Sequence, residues 1–458
     1  MTTTNMTITA GVAATEDLRA VMRGKVVSVG DEDYPRALHV WNGAVNHRPA
    51  VVAICETVGD VQAALRVART HNLAISVRGG GHDWAGRALR HNGLVIDLTA
   101  MRSVEVDAVA MVATVAGGAT GTDVTVATAA NGLAAVTANV GAVGMAGFLL
   151  SGGYGPLTTR FGLGLDNLLG AEIVLADGRL LWADETQNRD LFWAIRGGGG
   201  NFGVVTSMRI GLHSINELLA GVILFPWHEA HSVLRGYADR MASAPDELSV
   251  LAGVFSGQDG SPLVLLGPIW SGELAQGRKV ISRLEKLGSP VANQITTMSY
   301  SDLLTMYNAK VQSGLHYALQ TRWLADLQPD VISAVVEAGN KRTSPLSFVA
   351  IHHFHGPGTA VSPDATAFNL RRSHFLMEIG AAWPPCSSPE AAAHESWLRD
   401  ASARIVPFAL PGGYPNFLTH DNPEQVASAY GENAQRLCRL KLQFDPGNIF
   451  SSAAPLPL

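Results

Sequence analysis

RGGGHDWAG at residues 78–86, GAVGMAGFLLSGGYG at 141–155 and RGGGGNFGVV at 196–205 are three glycine clusters that one ligand can explain. Glycine at this density lets backbone N–H groups approach a ligand closely and form anion-holding concavities. One large ligand with a pyrophosphate is the simplest reading. Gly198, Gly200 and Gly203 also stand in G-x-G-x-x-G spacing. That fingerprint needs a strand before the glycines and a helix after them. Here a helix-like DLFWAI (190–195) precedes and a β-branched VVTSMRI (204–210) follows, so the spacing is a weak sign of a Rossmann unit.

Around these clusters, short β-branched runs alternate with turns and a few helical patterns, which is an α+β signature. VVAICE (51–56), LAISVRG (73–79), LVIDLTAM (94–101), MVATVAGG (111–118) and VVTSMRIGL (204–212) read as strands. DVQAALRVARTHN (60–72) reads as an amphipathic helix with Val61, Ala64, Leu65 and Ala68 on one face. GAEIVLADGRLLWAD (170–184) is a hairpin about its Ala-Asp-Gly centre, and RDLFWAIRG (189–197) a short helix. After about residue 216 the texture changes. Helices are expected at 228–244, 272–288, 329–342 and 389–405, and strands at 219–226, 248–256, 262–270, 346–356 and 372–383. This set suits one antiparallel sheet backed by helices. GGYPNFLTH (412–420), a helix over 424–445 and a DPGNIF turn end the chain.

The chain has 458 residues, too many for one compact core, with 47% apolar and 16% charged residues and a formal charge of −6. Without a Lys/Arg cluster, nucleic acid is not an expected partner. Cys55, Cys386 and Cys438 lie far apart, which suggests neither a disulfide framework nor a zinc site. The N-terminus lacks the basic and apolar regions of a secretory signal, so a cytoplasmic location is expected. Residues 124–159 carry no charge, but seven glycines break the stretch and a membrane span is not expected.

VRGGGHDWAG (77–86), LVIDLTAM, SGGYGPLTTRFGLGLDNLLGAEIVLADGRLL (151–181) and LFWAIRGGGGNFGVVT (191–206) resemble the PCMH-type FAD-binding domain of the vanillyl-alcohol oxidase superfamily. More narrowly they are similar to its berberine-bridge-enzyme-like branch, and the similarity resumes at YPNF (414–417) and FDPGNIF (444–450). The resemblance implies a two-subdomain FAD-binding domain at 46–213 after an N-terminal segment at 1–45. It further implies a substrate domain at 214–410 and a segment at 411–458 that returns to the FAD domain. Arg78, Gly79, Gly80, Gly81 and His82 would then surround the pyrophosphate, with Gly86 closing the loop, and the His82 imidazole would be bonded to the flavin 8α-methyl. Gly144, Gly147, Gly152, Gly153 and Gly155 would lie along the isoalloxazine, and Asn201, Gly203 and Val205 near the cofactor. The position at which many members carry a second, cysteinyl tether is Val140 here, so a single link is expected. A histidine often found just after the V-G-x-x-G motif is replaced by Phe148, and the tail SSAAPLPL (451–458) departs from the usual ending.

For catalysis, alternation along RSHFLMEIGAAW puts His374, Leu376 and Glu378 on one face. A carboxylate in so apolar a strand would have its pKa raised toward that of a useful general base, unless it is salt-bridged at a sheet edge. Its spacing to Trp383 also matches the position at which the resembled enzymes place a Glu or Gln over the flavin. Tyr414, Asn416 and Phe417 resemble the Y-x-N-Y segment facing the ring, with Tyr414 orienting substrate or acting as a phenolic acid or base. His353 and His355 share a strand face and are expected to meet substrate. No carboxylate or cysteine completes a metal set around them.

The expected activity is FAD-dependent oxidation of a small alcohol, phenol, sugar or amine by hydride transfer to flavin N5, with oxygen as the acceptor and hydrogen peroxide as product. The alternatives are an oxidative cyclase or rearrangement enzyme of secondary metabolism, and a ligand-binding flavoprotein without turnover.

Overall fold

The computed structural model describes residues 3–309 and 311–458. The first sheet runs in the order Lys25–Ser28, Val51–Ile54, Leu94–Asp97, Ile75–Arg78, its first pair antiparallel and the other two parallel. Helix Val58–Thr70 starts at a reciprocal Thr57/Asp60 cap. It buries Val61, Ala64, Leu65 and Ala68 against Val51, Ala53, Leu94 and Ile96, each of the larger side chains worth roughly 1.5–3 kcal/mol when taken out of water. The N-terminal segment is integral to this layer. Lys25–Ser28 pairs with Val51–Ile54, and helix Thr3–Val21 puts Ala14 and Leu18 into the same core.

The second sheet is antiparallel, in the order Val104–Asp107, Val112–Ala116, Val204–Gly211, Leu168–Val174, Leu180–Asp184. Its last two strands form the expected hairpin, turned at Gly178 with φ +89°. Together the two sheets hold all three glycine clusters at their ends and on the helices between them.

The third sheet has nine strands, its main path running Ala292–Asn293, Ile223–Pro226, Pro262–Trp270, Leu248–Ser256, Phe348–Phe354, His374–Trp383, His316–Leu324. Every neighbouring pair on that path is antiparallel. Alternation divides the Glu378 strand cleanly. Phe375, Met377, Ile379, Ala381 and Trp383 share a core with helices Ala230–Met241, Pro329–Asn340 and Ser388–Ile405. Leu376 packs on the other face with Leu163, Leu165 and Tyr414, so this second face looks onto the glycine-rich unit and forms its roof.

Several elements differ from the sequence expectation, three of them in the roof and the C-terminal segment. The run 219–226 is two strands, Leu218–Ala220 and Ile223–Pro226, broken at Gly221 where φ is +152°. The strand His316–Leu324, beside the Glu378 strand, was not anticipated. The C-terminal helix is two, Pro423–Ser428 and Ala434–Phe444, separated around Gly431 at φ +48°. Leu437 and Leu440 of the latter share a core with Phe192 and Ile195 of helix Arg189–Gly198, which returns the end of the chain to the glycine-rich unit. Among the described residues no helix is long and apolar enough to cross a membrane.

Candidate active site

The strand Ile75–Arg78 delivers the first glycine cluster to the second. A Cβ on Gly80 would lie 2.5 Å from the Gly144 nitrogen, and one on Gly79 would lie 3.3 Å from the Gly117 carbonyl. The backbones therefore meet with no space for side chains, leaving a bare peptide surface of the kind that holds an anion. Gly81 and Gly86 both have positive φ, the latter in a turn closed onto Asp83. The Arg78 side chain departs from expectation. It turns back into the protein, pairs with the buried Asp97 carboxylate and donates to the Ala37 carbonyl at 2.7 Å. It is a strut behind the loop, because a buried guanidinium needs that carboxylate.

His82 stands at the end of this loop, its Nε2 buried and without a hydrogen-bond partner. Burial pushes its pKa down to about 4, so the ring is neutral near pH 7. The ring stacks on Trp41 at 4.4 Å and 13°. An orphaned buried nitrogen costs free energy unless a ligand engages it, and beside a cradle of bare amides it fits a flavin nucleotide.

The second cluster meets the C-terminal segment at Tyr414. The Gly153 N–H donates to the Tyr414 oxygen at 3.0 Å and the Asn416 amide donates to the same oxygen at 2.8 Å. A Cβ on Gly152 would reach to 2.6 Å from the Tyr414 ring. Burial pushes the phenol up to about 12 despite those two donors. Gly155 lies against the Thr137 carbonyl, whereas Gly147 is exposed and a Cβ there would meet nothing within 4 Å. The helix Met145–Leu150 thus shows an open, side-chain-free edge. Trp84 donates to the Phe417 carbonyl at 3.2 Å and Arg87 to the carbonyls of Asn416 and Leu418, so the first cluster also grips this segment. The Phe417 ring sits edge-on to Tyr414 at 5.3 Å.

The third cluster packs the end of the chain and the second sheet. Asn201 donates to the carbonyls of Gly198 and Ala454, each at 2.8 Å. Lys441, ion-paired with buried Asp445 at 2.6 Å, donates to the Asn201 carbonyl. A Cβ on Gly203 would lie 2.5 Å from Ile173, and Val205 is a core residue whose carbonyl abuts Gly117. The structure therefore spends the Asn201 amide, Gly203 and the Val205 side chain on packing the tail and the second sheet. The divergent tail is anchored through Ala454 and buried Leu456.

On the roof, Glu378 is opposite Thr321 on one side and Ala350 on the other. It keeps about a fifth of its side chain open, 20%, and burial among apolar neighbours raises its pKa to about 7. His352 Nε2 is 3.6 Å from its carboxylate. His353 and His355 are not at this site. They share the parity of Val349 and Ile351, which pack under the helices, and His353 stacks on Phe375 at 4.4 Å. His352, of opposite parity, is the histidine on the Glu378 face. His374, also on that face, shares a 2.7 Å hydrogen bond with the Tyr154 hydroxyl, and its Nδ1 lies 2.7 Å from the Arg372 carbonyl. That carbonyl can only accept, so Nδ1 carries the proton and Tyr154 donates to Nε2.

His352, Tyr154 and Trp41 escaped the sequence reading. For His352 the signal was available in the parity of Val349 and Ile351. Among the described residues no three His, Cys, Asp or Glu side chains group as metal ligands. The three cysteines are free and belong to none of the glycine clusters.

Comparison with known proteins shows the family. Residues 49–184 match the family described as FAD binding domain, and residues 413–457 match Berberine and berberine like. The chain is 36% identical to (R)-6-hydroxynicotine oxidase of Paenarthrobacter nicotinovorans, over 94% of this chain and 95% of that protein. Its fold is similar to the crystal structure of 6-hydroxy-D-nicotine oxidase from Arthrobacter nicotinovorans, with TM-score 0.86, 28% identity, and 95% and 98% of the two chains covered. It also resembles a berberine-bridge-like protein of Physcomitrella patens, with TM-score 0.87, 21% identity, and 97% and 99% covered.

Proposed function

From the premise that the chain belongs to the berberine-bridge-like branch of the FAD-linked oxidases, we propose that it oxidises a small hydroxyl- or amine-bearing substrate, with Glu378 as proton acceptor and FAD held through His82. The general activity, FAD-dependent oxidation of a small organic molecule, follows from the family. Bound FAD would supply a two-electron acceptor for the hydride of the substrate carbon, with oxygen as final acceptor and hydrogen peroxide as product.

The observation that carries the proton step is the Glu378 carboxyl on the roof face, with a pKa raised to about 7 by burial. A base poised near the working pH combines a useful ionised fraction with a useful driving force. Glu378 takes the proton from the O–H or N–H of the substrate as the adjacent C–H bond yields its hydride, leaving a C=O or C=N bond. Tyr414, whose oxygen is fixed by Gly153 and Asn416, keeps its own proton and donates a hydrogen bond to the substrate heteroatom. Leu376, Phe354 and Phe368 pack with Tyr414 on this face, and burial keeps the Glu378 carboxyl's proton affinity high.

The reading that His82 carries the flavin is supported by its unpartnered Nε2 and by its neutral ring, the form that has a lone pair to bond with. The absence of cysteines from the clusters supports a single link. The test of function is an anaerobic absorbance screen across cyclic amines, phenols, alcohols and sugars, with peroxide measured on readmitting air. Bleaching by an amine, phenol, alcohol or sugar with stoichiometric peroxide is the expected result. Failure of every class to bleach the flavin would contradict the proposal.

A further inference from the structure

The His82 ring is one of three in a row. Trp41 stacks on it at 4.4 Å and 13°, and Tyr317 stacks on the same indole at 4.0 Å and 22°. The three come from different parts of the fold: His82 from the first glycine loop, Trp41 from the N-terminal segment, and Tyr317 from the roof strand His316–Leu324.

Backbone hydrogen bonds hold the middle ring in place. The Trp41 N–H donates to the Gly81 carbonyl at 3.1 Å, and its carbonyl accepts from the Gly314 N–H at 3.0 Å. The adjacent Asn42 accepts from the Tyr317 N–H at 2.9 Å and donates to the Tyr317 carbonyl at 2.9 Å. The indole Nε1 is buried with no partner, so the ring's contribution here is its face. A histidine after three glycines has no preceding side chain to brace its ring, whose plane must be fixed by something else. Offset stacking of aromatic rings supplies about 0.5–1.5 kcal/mol per pair beyond buried area.

We propose that Trp41, backed by Tyr317, is a positioning residue for covalent flavin attachment, fixing the plane of the His82 imidazole so that its free nitrogen meets the flavin methyl group. This inference rests on the reading that His82 is the tether. In the net reaction a C–N bond replaces one methyl C–H bond and the imidazole loses its N–H proton. The two protons and two electrons released pass to oxygen, giving hydrogen peroxide. A consequence is that attachment depends on a residue of the substrate sheet, and so on a roof already docked to the FAD-binding unit.

The experiment measures the fraction of purified full-length protein carrying flavin after acid denaturation, by intact mass, beside the total flavin bound before it. Trp41→Ala is expected to stay yellow while its linked fraction falls at least tenfold, with Trp41→Phe within twofold of the unchanged protein. Linkage in Trp41→Ala as complete as in the unchanged protein would overturn the inference while leaving the His82 tether intact. Should Trp41→Ala fail to fold, Tyr317→Ala decides: a severalfold loss of linkage restored in Tyr317→Phe supports the role, and full linkage overturns it. Flavin released quantitatively from the unchanged protein would overturn the tether itself, and the positioning role with it.

Discussion

Glu378 and His352 stand 3.6 Å apart on neighbouring strands of the roof, and burial moves their proton affinities in opposite directions. The carboxyl rises from its ordinary 4.5 to about 7 while the imidazole falls from 6.5 to about 4. The order of protonation is therefore inverted. Between about pH 4 and 7 both groups are neutral, and above about 7 a carboxylate faces a neutral imidazole. Burial disfavours the charged form of each group, and so works against an ion pair between them.

If Glu378 takes the substrate proton, kcat/KM rises with pH through about 7 as the carboxyl ionises. Glu378→Gln is expected to lose roughly 10²–10⁴-fold in kcat/KM, the usual contribution of a general base, and to lose that limb of the profile. Steady-state rates from pH 5 to 9 check both. A variant that keeps the limb would show that another group titrates.

The same burial has a stability consequence of definite sign. Glu378 binds its proton more tightly folded than unfolded, so its favourable contribution is complete below about pH 4.5 and is lost as pH rises through about 7. Glu378→Gln should therefore gain on the unchanged protein between pH 5 and pH 8 by about 1–3 kcal/mol. Denaturant midpoints at the two pH values measure the gap, and a gap that narrows with rising pH would contradict the burial assignment.

The two faces of the Phe348–Phe354 strand separate its neighbouring histidines functionally. Replacing His352 with Leu removes a polar neighbour of the carboxyl, deepens its desolvation and should move the pH limb upward. His353→Phe preserves a ring against Phe375 on the helix side and should leave the limb in place. Equal shifts in both variants would contradict the parity of the strand.

Tyr414→Phe leaves the Gly153 and Asn416 donors without their acceptor. Burying unmet donors costs about 1–3 kcal/mol, so the melting temperature should fall, together with kcat if the phenol also serves the substrate. Scanning calorimetry and turnover assays check the two effects. An unchanged melting temperature would show that these bonds contribute nothing.

Much of this was legible because glycine and alternation leave strong marks. The clusters at 78–86 and 141–155 announce backbone contact, and the interlocking of Gly80 with Gly144 is that contact. Glu378 was visible as one charge in an apolar strand. The partner strand His316–Leu324 was hidden because Gln320, Thr321 and Arg322 interrupt its apolar pattern. His353 and His355 were assigned to the substrate because they share a face, but that face is set by Val349 and Ile351 against the helices. Arg78 and Asn201 lie in the right loops, yet a buried guanidinium pairs with whichever carboxylate the fold supplies, and Asp97 lies 19 residues downstream on a parallel strand. Trp41 gave no signal, since stacking between rings 41 residues apart follows only from the closed fold.

Proteolysis of acid-denatured protein, followed by mass mapping of the flavin-bearing peptide, most directly tests the claim that the cradle binds FAD through His82. The expected result is one modified peptide spanning residues 78–86, the modification on His82, and its disappearance in His82→Ala. Flavin recovered free in the acid supernatant, or attached to any other residue, would contradict it.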